Sequence, residues 1–119
     1  MAKPNKKDAK RANVSLLNVE ILFGKISRRD GGRRSLKAKV REVLHRSSRL
    51  KAKNADKAIG LIGFFGASNA KNQKKFFPKN IRKGKVVTCY ATSWRNPETK
   101  KHAWQFAMAL SDSSNDIAC

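Results

Sequence analysis

The residues best suited to chemistry in this chain are cations and aromatics, not acid–base pairs. Lys37, Lys39 and Arg41 recur at every second position. Successive side chains of an extended strand point to opposite faces, so these three would share one face. Nothing is expected to neutralise them. A row of cations at that spacing reads as a track for phosphates more readily than as a solvated face. Further cations surround the row: Lys25, Arg28 and Arg29 before it, Arg33 and Arg34 leading into it, Arg46, Arg49, Lys51 and Lys53 after it, and Arg95, Lys100 and Lys101 far downstream. Three rings could join them. Trp94 lies between Ser93 and Arg95, where an apolar run gives way to a polar loop; Tyr90 shares its strand face; Phe65 ends the glycine-punctuated run Ile59–Phe65. Bases stack on such rings at about 1–3 kcal/mol each in single-strand binders. Each ring also has the ordinary alternative of a core aromatic. Trp104 and Phe106 read as core, and Phe76 and Phe77 as pins for a short helix.

Catalytic groups are sparse. His45 and His102 are the only histidines. His102 with Glu98 and Lys101 could be arranged for the acid–base work of a small basic ribonuclease. A loop histidine among lysines is more commonly just solvated, and a non-enzymatic protein is the expectation. Cys89 has no neighbouring set of Cys and His ligands, so no metal centre is expected. The glycines match neither a P-loop nor a dinucleotide fingerprint, and no cofactor is expected.

Charge and size narrow the class. The chain has 28 Lys and Arg against 8 Asp and Glu, a formal net charge of +20 over 119 residues. A single domain is expected at this length. Such a charge repels itself in a compact fold and calls for a polyanionic partner. Nucleic acid leads. An anionic membrane comes second, but no long helix joins a cationic face to an apolar one. No run approaches the roughly 18 apolar residues of a spanning helix. No apolar signal core follows the basic N-terminus, and Asp8 and the missing amphipathic pattern count against a transit peptide. Cys89 and Cys119, the only cysteines, make no disulfide framework, which points to a reducing cytoplasm.

The elements that must position these residues follow from periodicity. Met1–Asn13 is polar and basic and reads as a flexible arm, either a solubilising tail or a phosphate-tracking one. Val14–Ile26 tilts to strand on its β-branched content, although helix competes over VSLLNVEIL. Ser27–Arg34 supplies Asp-Gly-Gly for a hairpin. Ser35–Leu44 alternates, with Leu36, Ala38 and Val40 against Lys37, Lys39 and Arg41; Leu36, Val40, Val43 and Leu44 also fit a helix. His45–Asp56 is a polar connector and Ile59–Phe65 a buried strand. Ala67–Phe77 is helix-compatible, with Ser68 as a possible cap and Pro78 as its limit. Val86–Trp94 and Ala103–Leu110 read as strands joined by the Asn-Pro loop Arg95–Lys101. Ser111–Cys119 is a short polar, weakly acidic tail. The order is that of a mainly β, five-stranded OB-fold barrel over residues 14–110, with one short helix between its third and fourth strands.

Several stretches in that order resemble the bacterial-type single-stranded DNA-binding proteins and their primosomal relatives. These are NVEILFGKISRR (Asn18–Arg29), GLIGFFG (Gly60–Gly66), IRKGKVV (Ile81–Val87) and SWRNPETKKHAWQFAMAL (Ser93–Leu110). The resemblance implies base-stacking roles for Phe65, in the Phe-Gly pair, and for Trp94, at the start of the hairpin loop. It also implies single-stranded DNA as partner (RNA remains open), a role in DNA replication or recombination, and a dimer or tetramer paired through the first strand near Val19–Ile26. The chain departs from the family in several ways. No aromatic stands a few residues before Phe-Gly or in His45–Asp56, Ala67–Lys83 is longer, and neither the family's linker nor the strongly acidic tip with which it recruits replication partners is found in this sequence.

Overall fold

Alternating side chains set the architecture. Leu36, Ala38 and Val40 are buried, whereas Lys37 and Arg41 between them are exposed and Lys39 is partly so. Period-2 burial of this kind belongs to a strand with one face on a core. The computed structural model describes residues 3–28, 32–48, 50, 52–95 and 102–110. They form α1 (Lys6–Ala12), β1 (Ser15–Ile21), β2 (Ser27–Arg28), β3 (Arg34–His45), α2 (Ala52–Ala58), β4 (Ile62–Ala67), α3 (Ala70–Phe76), β5 (Val86–Arg95) and β6 (His102–Ala107).

The sheet closes on itself. β1 pairs antiparallel with both β3 and β5, β3 with β4, and β5 with β6, while β4 and β6 run parallel. The result is a closed, mixed, five-stranded OB-like barrel, with the two-residue β2 as a hairpin extension of β3. Full closure leaves no free sheet edge around the ring. Inside it Leu17, Val19, Ile21, Leu36, Val40, Phe65, Cys89 and Phe106 are wholly or almost wholly buried. Phe65 meets Phe106 at 5.5 Å and Phe77 at 6.1 Å between ring centroids, in tilted arrangements typical of aromatic cores. Gly63 permits β6 to approach β4: a Cβ there would stand 2.6 Å from a Phe106 ring carbon and 2.7 Å from Trp104 Cβ. Phe76 and Phe77 are buried as expected, and Met108 N–H donates to the Phe76 carbonyl at 2.9 Å, holding α3 to the barrel.

Several expectations need correction. Residues 6–12 of the expected flexible arm are helical. The Asn5 side chain caps α1 by accepting from Asp8 N–H at 2.9 Å, and Asn13 ends it in the left-handed region at φ 55°. Ala9 is wholly buried, Asn5 N–H donates to Tyr90 Oη at 3.3 Å, and Asn13 Oδ1 accepts from Ser48 N–H and Oγ–H at 3.0 Å. The helix is therefore docked on the outside of the barrel. The polar connector His45–Asp56 runs into α2, whose last residue, Ala58, is buried. The first strand stops at Ile21, short of Ile26. Ile59 and Leu61 are 55% and 50% exposed and precede β4, so the buried third strand starts later than its apolar run. The cap of α3 is Asn69 and not Ser68. The strand expected over Ser35–Leu44 is borne out, as part of β3.

Candidate nucleic-acid interface

Strand parity places the cationic row on the outside. Register pairs Lys37 with Phe64 and Lys39 with Ile62, whereas Leu36 and Ala38 pair with Phe65 and Gly63 on the inner side. The outer face of β3 and β4 thus combines Lys37, Lys39 and Arg41 with Phe64 and Ile62. Lys37 Nζ stands 5.8 Å from the Phe64 ring centroid, a cation–π approach. Phe64 is half-buried, and Ile62 is 52% exposed. β1 adds an acid to this face. Glu20 is opposite Lys39 in register, and its Oε1 lies 3.6 Å from Arg41 Nε. The row is therefore partly neutralised at one end, contrary to the expectation that nothing opposes it. The pair is solvent-exposed and weak, and a phosphate could compete for Arg41.

Two stacking assignments are overturned. Phe65 is wholly buried, with Phe77 and Phe106 packed against it, so it offers no face to a base. Its neighbour Phe64 is the ring on the outside. Tyr90 is 3% exposed and lies beneath α1. Burial raises its hydroxyl above the usual tyrosine range, with the Asn5 N–H acting in the opposite sense. Phe64 escaped the sequence reading because both parities of IGFFGA carry a phenylalanine. Only its pairing with Lys37 distinguishes them.

The other cations divide by location. Lys25, Arg28 and Arg34 line a cleft of about 370 Å³ together with Ile26 and Gln73, where the β1–β3 connection meets α3. Arg33 is exposed nearby. Arg46 is engaged in the connector, where its Nη1 donates to the Leu50 carbonyl at 2.8 Å. The backbone of Trp94 and Arg95 belongs to β5 and pairs with Ala103 and His102, as the expected hairpin requires. Their side chains lie outside the described part of the structure, as do the residues Arg29, Arg49, Lys51, Lys100 and Lys101.

Among the described residues, no group of three or more His, Cys, Asp and Glu could hold a metal ion, and no helix is long and apolar enough to cross a membrane. Burial pushes the Cys89 thiol far above its ordinary range, so it remains a neutral core group. Comparison with protein-family models, with curated proteins and with solved structures finds no match to this chain.

Proposed function

We propose that this protein is a non-enzymatic binder of single-stranded nucleic acid, of the kind its sequence resembles, with DNA as the leading partner and replication or recombination as its setting. The strand would run across the outer face of β3 and β4. Lys37, Lys39 and Arg41 would track its phosphates, and Phe64 would stack on a base. The observation that carries this reading is the Lys37–Phe64 pair at 5.8 Å within a face of spaced cations. A base on the ring and a phosphate on the ammonium could then be engaged together. The resemblance assigns a second stacking position to Trp94. The net charge of +20 also favours a second reading, an RNA-binding or ribosome-associated protein.

Competition among oligo-dT, oligo-U and duplex DNA, repeated over a salt series, tests the proposal. Oligo-dT should win, and its affinity should fall with salt by about 0.7 log units per log unit for each phosphate contact. Equal competition by duplex, or an affinity flat in salt, would contradict it; victory by oligo-U would move the assignment to RNA. Self-association belongs to the same proposal. Both edges of β1 are already paired from Leu16 to Glu20, so pairing between copies would use Phe23–Ile26, where Phe23 is 57% exposed. Sedimentation of the free protein as a 13.3 kDa species at moderate salt would rule that part out.

A further inference from the structure

We infer that the cleft between the β1–β3 connection and α3 is a discrete phosphate-binding site, separate from the outer face of β3 and β4. This deepens the nucleic-acid reading and rests on it only for the claim that a strand can supply the phosphate. Lys25, Ile26, Arg28, Arg34 and Gln73 line a volume of about 370 Å³, room for a phosphate or diphosphate. Arg34 has the same strand parity as Leu36 and Ala38, so it starts at the mouth of the barrel and not on its outer face. Two buried polar atoms in this cleft lack a hydrogen-bond partner, Arg34 Nε and Gln73 Oε1. A guanidinium N–H left unpaired away from water is costly, which makes a bound acceptor the expected complement.

A phosphate oxygen suits that N–H better than a neutral group, because charge-assisted bonds are shorter and stronger. Lys25 and Arg28 are exposed and can close on a phosphate from the rim. Gln73 can turn its amide to present NH2 to the same anion, since the two amide orientations differ only in which bonds they make. Among the described residues, no carboxylate forms an ion pair with Lys25, Arg28 or Arg34. β2 fixes the rim to the strand, because Arg28 pairs with Arg34 in register. From Arg34 to Lys37 the distance along β3 is about 10 Å at the usual strand rise. One strand could therefore reach the cleft and the outer face together.

The test uses the full chain at low salt in phosphate-free buffer, with inorganic pyrophosphate as probe. Its dissociation constant is read by calorimetry, and the Arg34 Nε–H resonance by NMR. Arg34→Gln and Arg28→Gln should each weaken pyrophosphate binding by about tenfold, the loss expected for one charge-assisted bond. Lys37→Gln should leave it unchanged. Arg28 is exposed, so its variant decides the matter if Arg34→Gln does not fold. Displacement of pyrophosphate by oligo-dT assigns the cleft to phosphates of the strand; binding of both at once assigns it to a free phosphate compound. Wild-type affinity in the Arg28 variant and in any folded Arg34 variant, or an equal loss in Lys37→Gln, overturns the inference in favour of a water-filled cleft or diffuse charge. Failure of oligo-dT to bind at all, with these pyrophosphate results intact, would remove the single-strand reading and leave the cleft standing.

Discussion

The outside of the barrel is covered at one end of β1 and β5, around Leu16 and Tyr90, and open at the outward positions of β3 and β4 from Lys37 to Arg41 and from Ile62 to Phe64. On the covered side, Asn5 at the start of α1 bonds to Tyr90, which like Leu16 is 3% exposed although the two sit in register opposite each other on the outer parity. On the open side, Lys37, Lys39 and Arg41 occupy the outward positions, with Phe64 beside them. Both faces belong to the same ring of strands. The difference lies in side chains: an apolar outward pair needs a lid, and a cationic outward row repels one unless it is anionic. α1 carries Lys6, Lys7, Lys10 and Arg11 against a single Asp8, so it suits the apolar side only. The strand proposed as partner would meet the open face with a charge opposite to its own.

Strand parity decides which residues are covered and which are open, and the largest effect should come from breaking that parity at β4. Phe65→Ala should cost about 3–5 kcal/mol of stability through the cavity left between Phe77 and Phe106, read as a fall in the urea midpoint. An unchanged midpoint would mean that Phe65 is outside the core and that the assignment of Phe64 is reversed as well.

Stability should depend on alkaline pH through Tyr90 on the covered side and Cys89 inside the barrel. Burial raises both the Tyr90 hydroxyl, ordinarily titrating near 10.0, and the Cys89 thiol, ordinarily near 9.0. The folded chain then keeps protons that the unfolded chain releases. Stability is whole below the ordinary values and falls as pH rises through them. Tyr90→Phe should lose about 0.5–1.5 kcal/mol at neutral pH for the Asn5 N–H bond and should shallow the alkaline fall. An alkaline profile identical to wild type would show Tyr90 to be uncovered.

On the open side the smallest effect is a slope. Lys37→Gln should reduce the salt dependence of single-strand binding by about 0.7 and weaken duplex binding as well, since phosphates are common to both. An unchanged slope would take Lys37 off the strand's path.

The sequence made the barrel legible through alternation. Leu36–Val40 against Lys37–Arg41 identifies the inner and outer sides of β3, and the order of apolar runs fits the observed strand order. The tail Ser111–Cys119 lies outside the described residues. The covered side was not read, although its signal was present: Asn5 and Asp8 stand at capping-box spacing, and Asn5 Oδ1 does accept from Asp8 N–H at 2.9 Å. The charge of Met1–Asn13 concealed it, because the one residue that α1 buries, Ala9, is small. The stacking ring was missed for a different reason. Phe64 and Phe65 are chemically identical neighbours, and a one-residue change of register exchanges their faces. Long-range pairing decides between them, and composition does not. Likewise the cleft gathers Lys25, Arg28 and Arg34 with Gln73 of α3, a residue with no cationic or aromatic signal of its own.

The most direct test of the open face is the affinity of Phe64→Ala for oligo-dT and for duplex DNA at one salt concentration, with the fold checked by near-ultraviolet circular dichroism. Stacking on Phe64 predicts a single-strand loss of about 1–3 kcal/mol, roughly ten- to hundredfold, with duplex affinity little changed because duplex bases are already stacked. A folded Phe64→Ala protein that binds oligo-dT as wild type does would contradict a single-strand path across β3 and β4.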